Sequence, residues 1–364
     1  MRCKKLPALL LALSLLFTLA ACKPAADEPS ESPSLAAESA APSQGPSQEP
    51  SAQLSEPTSR EPYGPIRLAV LSGPTGVGAA RLIDIAENDP INLHTTYQCG
   101  IYTDNSELVA GLTNGDIDIA TVASNVAVNL YNKTDGGVKI IAAGTLGVLH
   151  ILEGGGGTSI NSMADLAGRT VYAAGQGANP EYVLRYLLQE NGLEAGRDVE
   201  VVFADASEIS AKLLSGEIEC AMLPVPAATA AIMKSEGKVR QAVDLTEAWD
   251  SLRSGSQLIM TAVVARTEFA QAYPEQVAAF LSEYESSIDY VNSNVDEAAE
   301  IIAALGITPS APIARQAIPQ CHLAYLDGTD MVAAISDYYS VLYSIDPAAV
   351  GGSLPDDGIY WTGE

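Results

Sequence analysis

The sequence predicts an α/β protein with two similar lobes, each a mostly parallel sheet flanked by helices. Short apolar strands alternate with amphipathic helices, which is the pattern of parallel sheets with crossover helices. The stretch LTNGDIDIATV at 112–122 also returns as LLSGEIECAML at 213–223, with Leu, Gly, acid, Ile, acid and Ala at matching places. So distant a repeat indicates two lobes rather than a solenoid, whose repeats span about 20–50 residues.

The N-terminus predicts export and anchoring. Basic residues precede a 16-residue, mostly apolar run, Leu6–Ala21, which is shorter than the roughly 20 residues that span a bilayer. We therefore predict a signal peptide over residues 1–21. Leu19-Ala20-Ala21-Cys22 matches the lipobox of bacterial lipoproteins, so we predict lipidation of Cys22 and a stable membrane anchor. An ordinary signal peptide with a chance cysteine is the alternative.

The next segment, residues 22–62, is predicted to be the lipidated cysteine followed by a disordered linker. Residues 23–62 contain eight Pro and nine Ser and no Val, Ile or aromatic residue. Such a composition buries too little apolar surface to offset the entropy of ordering. As a flexible coil the linker would reach roughly 35 Å.

About 300 residues remain, which is enough for two domains. The formal charge of the whole chain is −26, and so acidic a surface argues against nucleic acid as a partner, because nucleic acid binding favours Lys and Arg. Beyond Cys22 the chain has Cys99, Cys220 and Cys321 without CxxC spacing. We favour three buried free thiols, with one disulfide and one free thiol as the alternative.

The secondary structure of the first lobe is predicted from residue 66 onward. A strand, 66–71, leads through the Gly-rich GPTGVG into a helix, and INLHTTYQCG predicts a second strand. A short helix over NSELVAGLTN is closed by Gly115, since glycine tolerates the left-handed conformation after a helix. DIDIATVA predicts a third strand.

The same series begins again at Arg169 in RTVYAAGQGANPEYVLRYLLQENG. Asn179 is predicted to cap the helix and Pro180 to occupy its first position. DVEVVFA, SEISAKLLSG and EIECAML then complete the second copy.

Two segments are predicted to connect the copies. VKIIAAGTLGVLHILEGGGG, at 138–157, predicts one long strand leaving the first lobe, and LIMTAVVAR predicts a strand leading back. A helix opened by Pro274 follows, and its apolar and aromatic stripe predicts core packing rather than a cofactor site.

Ligands in open α/β sheets bind outside the carboxyl ends of the strands. Helices follow these strand ends, so free backbone N–H groups point into one region, and two facing lobes would make a cleft with polar walls. The strand ends carry Gly73-Pro74-Thr75-Gly76, Ser124-Asn125, Gly175-Gln176-Gly177 and Pro224-Val225-Pro226.

The chain resembles the substrate-binding lipoproteins of ABC importers. The resemblance is to the periplasmic-binding-protein class that handles nitrate, sulfonates, taurine and thiamine-pyrimidine precursors. It covers nearly all of 66–360 and rests on GPTGVGAARLI, GDIDIATVASNVAVNLYNKTDGGVKIIAAGTLGVLHI, DLAGRTVYAAGQGANPEYVLRYLLQENGL, LLSGEIECAMLPVP and AVGGSLPDDGIY.

The resemblance implies a flytrap joined by two hinge segments, near 145–149 and 260–264. Lobe 1 would comprise 63–147 with 262–364, and lobe 2 would comprise 148–261. It implies a monomer on the outer face of the bacterial cytoplasmic membrane that passes a small-molecule solute to ABC permease and ATPase subunits. The ligand-binding residues implied are Pro74, Thr75, Gly76, Ser124, Asn125, Thr145, Gly175, Gln176, Gly177 and Pro224.

The candidate loops contain no Lys or Arg. An anionic group would have to be held by backbone N–H groups, and a neutral or zwitterionic polar organic solute fits at least as well. Tyr97, Tyr102 and Tyr182 are candidates for stacking on a planar ring, with ordinary packing as the alternative for each.

Two other functions are considered beside transport. Some relatives of this fold are enzymes of thiamine or menaquinone biosynthesis, but His94, His150 and His322 form no i, i+4 pair, and HExxH and GxSxG are absent. His150 is expected to be a satisfied buried histidine. We predict no catalytic residue, cofactor or metal site. A ligand sensor or adhesin that uses the same fold is the other alternative.

Overall fold

The computed structural model describes residues 64–252 and 254–363. The predicted signal peptide, Cys22 and the linker lie outside this range. No helix within it is long and apolar enough to cross a membrane.

Strands and helices alternate over most of the described chain. The strands are β1 (Ile66–Leu71), β2 (Tyr97–Tyr102), β3 (Ile119–Ala123), β4 (Val138–Thr145), β5 (Leu149–Glu153), β6 (Thr170–Ala173), β7 (Glu200–Phe203), β8 (Cys220–Pro224), β9 (Arg240–Asp244), β10 (Thr261–Arg266) and β11 (Leu323–Leu326). The helices are α1 (Pro74–Val77), α2 (Ala80–Asn88), α3 (Asn105–Asn114), α4 (Ser124–Thr134), α5 (Asn179–Glu190), α6 (Ala206–Ser215), α7 (Ala227–Lys234), α8 (Leu245–Ser251), α9 (Thr267–Ala272), α10 (Pro274–Ser293), α11 (Val295–Ala304), α12 (Ala311–Ala317) and α13 (Gly328–Ile345).

The strands form two separate sheets, and each sheet is the centre of one lobe. Lobe 1 has six strands in the order β11-β4-β10-β3-β1-β2, and lobe 2 has five in the order β7-β6-β8-β5-β9. Helices flank both sheets, so the predicted two-lobed α/β fold is confirmed.

Each sheet is mixed, where the sequence indicated mostly parallel strands. β1 pairs in parallel with β2 and β3, and β6 pairs in parallel with β7 and β8. β10 runs antiparallel to β3 and β4, and β5 runs antiparallel to β8 and β9. The reason is that both strands enter from the other lobe. β10 starts beside the end of β3, and β5 starts beside the end of β8, so each runs antiparallel to that neighbour.

The long strand predicted over 138–157 is two strands, and this correction locates the first crossing between the lobes. β4 ends at Thr145 in the sheet of lobe 1, here called sheet 1, and β5 begins at Leu149 in the sheet of lobe 2, called sheet 2. Between them, Leu146 N donates to the carbonyl oxygen of His322 at 3.1 Å, and Val148 O accepts from Val225 N at 2.9 Å. Residues 146–148 are therefore held from both lobes. We call 146–148 and 258–260 the crossing segments.

The repeated stretch occupies the same corner of each lobe. α3 ends at Gly115 with φ 85° and ψ 15°, and β3 follows. α6 ends at Gly216 with φ 77° and ψ 16°, and β8 follows. Both glycines adopt the left-handed conformation, as predicted.

Local predictions hold for most helices, with two corrections. The stripe on α10 is core, since Val277, Phe280, Tyr284 and their apolar neighbours on this face are buried. α5 is capped by Ala178 rather than Asn179, which belongs to the helix, and GPTGVG contains the one-turn helix α1 rather than an open loop.

Candidate functional site

The first residues of α4 and α5 meet between the lobes. Ser124 follows β3 directly and donates from Oγ to the carbonyl of Ile259 at 2.6 Å. The same oxygen accepts from Asn179 Nδ2 at 2.9 Å, and Nδ2 also lies 3.3 Å from Met260 O. Both Ser124 and Asn179 are 0% exposed. The lobes are thus closed on each other at this point.

Backbone groups of the second crossing segment complete this contact. Met260 N donates to Thr145 O at 2.9 Å, and Met260 O accepts from Ser124 N at 3.1 Å. Tyr339 donates its hydroxyl to Ser124 O at 2.7 Å. We call Ser124, Thr145, Asn179 and Met260 the interlobe hub. It joins the ends of β3 and β4 to the start of α5.

Several polar atoms around the hub are buried and have no hydrogen-bond partner within the described part of the chain. They are Asn125 Oδ1, Thr145 Oγ1 and Asn179 Oδ1. The orientation of the Asn179 amide is fixed, because Met260 O can only accept and therefore requires Nδ2 on its side. Each unpartnered buried group costs about 1–3 kcal/mol. An added polar molecule would remove that cost.

Helix N-termini also face this region. α4 and α5 begin after Ala123 and Ala178, and no side chain caps either helix. Their first-turn N–H groups and the positive ends of their dipoles supply donors beside the acceptors of the hub.

The remaining predicted site residues are more dispersed. Pro74, Thr75 and Gly76 lie on α1, where a Cβ on Gly76 would come within 2.6 Å of Leu71 O. Gly76 therefore allows the close packing of α1 on β1. The ligand contacts predicted for these three residues stay predictions.

In lobe 2 the candidates lie between β6 and α5 and at the end of β8. A Cβ on Gly175 would come within 2.6 Å of the Pro180 ring. Gln176 and Gly177 are exposed, and Gly177 N donates to Glu181 Oε2 at 2.8 Å. Pro224 is half-buried and pairs with Leu149. Their roles toward a ligand also stay predictions.

The structure adds a group that the sequence did not indicate. Asp244 Oδ2 lies 3.6 Å from His150 Nδ1 and 3.5 Å from His322 Nε2. His150 is 1% exposed, yet neither ring nitrogen makes a hydrogen bond to a described residue, which corrects the expectation of a satisfied histidine. The three residues are far apart in sequence, so only the placement of His150 in a buried strand was visible beforehand.

This group is electrostatically asymmetric. Burial raises the pKa of Asp244, but the approach of His322 and the backbone N–H groups of Thr246 and Glu247 outweigh it, and the pKa is about 2. The neighbouring Asp244 carboxylate raises the pKa of His322, against the effect of burial. Burial lowers the pKa of His150, although Asp244 opposes the shift. A proton on this group therefore resides on His322.

Aromatic side chains pack α13 against lobe 2. The Trp249 ring of α8 lies 4.5 Å from the Tyr186 ring and 5.7 Å from the Tyr338 ring, measured between centroids. Tyr338 precedes Tyr339, which bonds to Ser124. α13 therefore contacts α5 and α8 as well as the hub.

The three tyrosines considered for stacking differ in their surroundings. Tyr97 donates its hydroxyl to Glu283 and packs near Phe280, within lobe 1. Tyr102 is half-buried on β2, and Tyr182 is 7% exposed on α5. Among the described residues no group of three or more His, Cys, Asp or Glu is arranged to hold a metal ion.

Comparison with known proteins identifies the family. A family model described as NMT1/THI5 like matches residues 100–298, more than half of the chain. The chain belongs to the NMT1/THI5-like family. The resemblance seen in the sequence is thereby confirmed. A comparison with curated protein sequences gives no match.

Solved structures similar to this NMT1/THI5-like chain share its two-lobed fold. An ABC transporter protein from Parabacteroides distasonis is 26% identical, with a TM-score of 0.69, and the match covers 82% of this chain and 99% of that one. The periplasmic aliphatic sulphonate binding protein SsuA from Escherichia coli is 16% identical, with a TM-score of 0.65 and coverage of 82% and 92%. The alkanesulfonate-binding protein SsuA from Xanthomonas axonopodis pv. citri, bound to MOPS, is 13% identical, with a TM-score of 0.60 and coverage of 79% and 94%.

Proposed function

We propose that this chain is an extracytoplasmic lipoprotein that captures a small organic solute between its lobes and delivers it to an ABC permease. The observation that carries the proposal is the interlobe hub, with the unpartnered side-chain oxygens of Thr145 and Asn179 and of the neighbouring Asn125. Similarity to a protein named as an ABC transporter and to one named as a periplasmic sulphonate binding protein supports it.

The proposed mechanism is closure on the solute. The lobes separate about the two crossing segments, a solute enters, and contacts from both sides favour the closed arrangement. Only a difference in affinity between the open and closed arrangements shifts that equilibrium. The hub is suited to this role because Ser124 and Asn179 come from different lobes and are in direct contact.

We propose a polar organic solute and no catalytic role. The hub presents hydroxyl and amide groups, and helix N-termini supply further donors. The names of the two SsuA proteins suggest sulfonates. The backbone N–H groups of α4 and α5 would have to hold a sulfonate, because the predicted ligand residues include no Lys or Arg.

The first experiment follows the thermal unfolding of the chain with a panel of sulfonates, pyrimidines, aromatic amino acids and vitamins. A solute at a hundred times its Kd stabilises the folded state by about 2.7 kcal/mol, which raises the Tm by roughly 5–10 °C. A saturable shift with one class supports the proposal. No shift with any compound favours a non-transport sensor or adhesin.

A pair of variants then tests the site. Asn125→Ala removes a buried amide at the hub and should weaken binding of the identified solute without unfolding the protein. Asn88→Ala removes an exposed amide at the end of α2, whose Nδ2 donates to Asp84 Oδ1 at 3.0 Å within lobe 1, and should leave affinity unchanged. Equal affinity of both variants would exclude Asn125 from the site.

Anchoring is tested separately. Mass spectrometry of the mature protein should find a diacylglyceryl group on Cys22, and Cys22→Ser should release the protein from membranes. An unmodified Cys22 would contradict this part of the proposal and leave solute binding intact.

A further inference from the structure

Three titratable side chains meet where the chain crosses between the lobes, and solute capture does not require them. Asp244 ends β9 and His150 lies on β5, both in lobe 2. His322 directly precedes β11 of lobe 1. The 3.5 Å approach of His322 Nε2 to Asp244 Oδ2 is therefore a contact between lobes.

Both partners are attached to the first crossing segment. The backbone carbonyl oxygen of His322 accepts from Leu146 N at 3.1 Å. His322 also has a left-handed backbone conformation with φ 44°, which is costly for a residue with a side chain. Asp244 caps α8 by accepting from Thr246 N at 2.8 Å. A Cβ on Gly147 would lie 1.8 Å from Thr246 Oγ1, so this capped turn packs against the crossing backbone.

We propose that His322 and Asp244 form a proton-dependent latch between the lobes. Protonated His322 pairs with Asp244 and stabilises the closed arrangement, and loss of the proton weakens that arrangement. The inference rests on the lobe movement in the proposed function and does not depend on which solute binds.

The surroundings of His322 favour a single bound proton. It faces Asp244, His150 on β5, and Glu247 and Asp250 on α8. The Asp244 carboxylate, 3.5 Å from His322 Nε2, raises the pKa of His322, burial opposes the shift, and the charges of Asp250 and Glu247 raise it further. Burial lowers the pKa of His150, and a charge on His322 lowers it further. His150 therefore stays neutral while His322 is protonated.

The sign of the pH effect follows from these directions. In the open arrangement His322 would lose Asp244 and return toward the ordinary histidine pKa of about 6.5. The latch is then fully present below that value and is lost as the pH rises through the raised pKa of the closed state. Asp244 stays ionised throughout this window because its pKa is about 2. Closure is strongest near pH 6 and weaker at pH 8.5.

The test measures the distance between lobes directly. Spin labels are placed at Ile91→Cys on lobe 1 and Met233→Cys on lobe 2, two exposed positions, in the full chain with Cys3 and Cys22 changed to Ser. Pulsed electron resonance without solute should give a longer mean distance, or a larger fraction of long distances, at pH 8.5 than at pH 6. Equal distances at both pH values would overturn the latch.

Two variants remove the latch and preserve local structure. His322→Asn keeps a residue that tolerates the left-handed conformation, and Asp244→Asn keeps a good helix cap. Both should abolish the pH dependence of the distance. His94→Asn, on a histidine 3.3 Å from Glu283 within lobe 1, and Asp104→Asn, on the cap of α3, are the matched controls. These controls should behave like the parent chain.

NMR titration of the imidazoles supplies the second readout, because the chain has three histidines. The midpoint of His322 should lie above the ordinary histidine value of about 6.5, and Asp244→Asn should lower it. An unchanged His322 midpoint in Asp244→Asn, or a pH-dependent distance that persists in both latch variants, overturns the proposal. Failure of every solute in the panel would count against solute capture and leave this result standing.

Discussion

Arg67 donates from Nε to Asp118 Oδ2 at 2.8 Å, and the Asp118 side chain is completely buried. Arg266 Nη2 approaches the other oxygen at 3.0 Å, so two guanidinium groups from β1 and β10 share one carboxylate. Asp118 is the second acid of the repeated stretch, at the entry to β3. A buried carboxylate therefore joins β1, β3 and β10, three adjacent strands of sheet 1.

Removing that charge should destabilise the protein strongly. Asp118→Asn keeps the shape but removes the buried anion that Arg67 and Arg266 share, and we expect a loss of about 3–5 kcal/mol in the free energy of unfolding. Urea unfolding followed by tryptophan fluorescence measures it. Asp296→Asn, which removes the exposed partner of Arg315, should cause no measurable change. Equal effects of the two variants would show that the Asp118 cluster is not a stabilising unit.

The hydrogen bond from Asn179 to Ser124 should contribute to stability as well as to closure. Asn179→Ala removes a fully buried amide and should cost about 1–3 kcal/mol of unfolding free energy. Asn191→Ala, at the other end of α5, removes a bond to Leu187 O within lobe 2 and should cost less. A larger loss for Asn191→Ala would argue against the hub as a buried junction.

The two glycines of the repeat should respond alike to substitution. Gly115→Ala and Gly216→Ala each force alanine into a left-handed conformation, which costs about 1–2 kcal/mol. No atom lies within 3.4 Å of a Cβ at either site, so the cost comes from the backbone alone. Asn at either position should cost less than Ala, and Gly64→Ala, where φ is not left-handed, should be nearly neutral. Thermal or urea unfolding compares the five variants.

The three thiols beyond Cys22 should be unreactive in the folded chain. All three are free, Cys220 and Cys321 are buried and Cys99 is half-buried. Burial raises the pKa of each of them to about 12, so only about one thiol in ten thousand is ionised at pH 8. Iodoacetamide labelling with peptide mass spectrometry should find Cys220 and Cys321 unmodified in buffer and modified in urea. Cys99 is half-buried, so its labelling in buffer should be slow but greater than theirs. Rapid native labelling of Cys321 would show that lobe 1 opens locally.

Local rules predicted the repeated corners well. The left-handed glycines, the buried stripe of α10 and the order of strand, helix and strand in each lobe depend on residues near one another in sequence, and the pattern expresses them directly. The equivalence of the copies has limits, because Asp118 is buried between arginines whereas its counterpart Glu219 is exposed. Burial depends on which strands become neighbours, and the repeat does not contain that information.

The crossings were less predictable for the same reason. Residues 138–157 read as one apolar strand because both β4 and β5 are buried, and the break at 146–148 is fixed by bonds to His322 and Val225 from distant parts of the chain. The His150–Asp244–His322 group likewise exists only after both lobes have formed. Asn179 was predicted as a cap from its position before Pro180, but its amide donates a hydrogen bond to Ser124 of the other lobe.

The placement of β10 between β3 and β4 has a consequence for the order in which the protein is built. Sheet 2 comes from one continuous stretch, Leu149–Asp244, whereas sheet 1 lacks the strand that joins β3 to β4 until residue 261 has emerged. During synthesis the later part of the chain therefore supplies the centre of the earlier lobe. All five strands of sheet 2 are synthesised before β10, and a chain cut short before β10 would leave β3 and β4 without the strand that joins them.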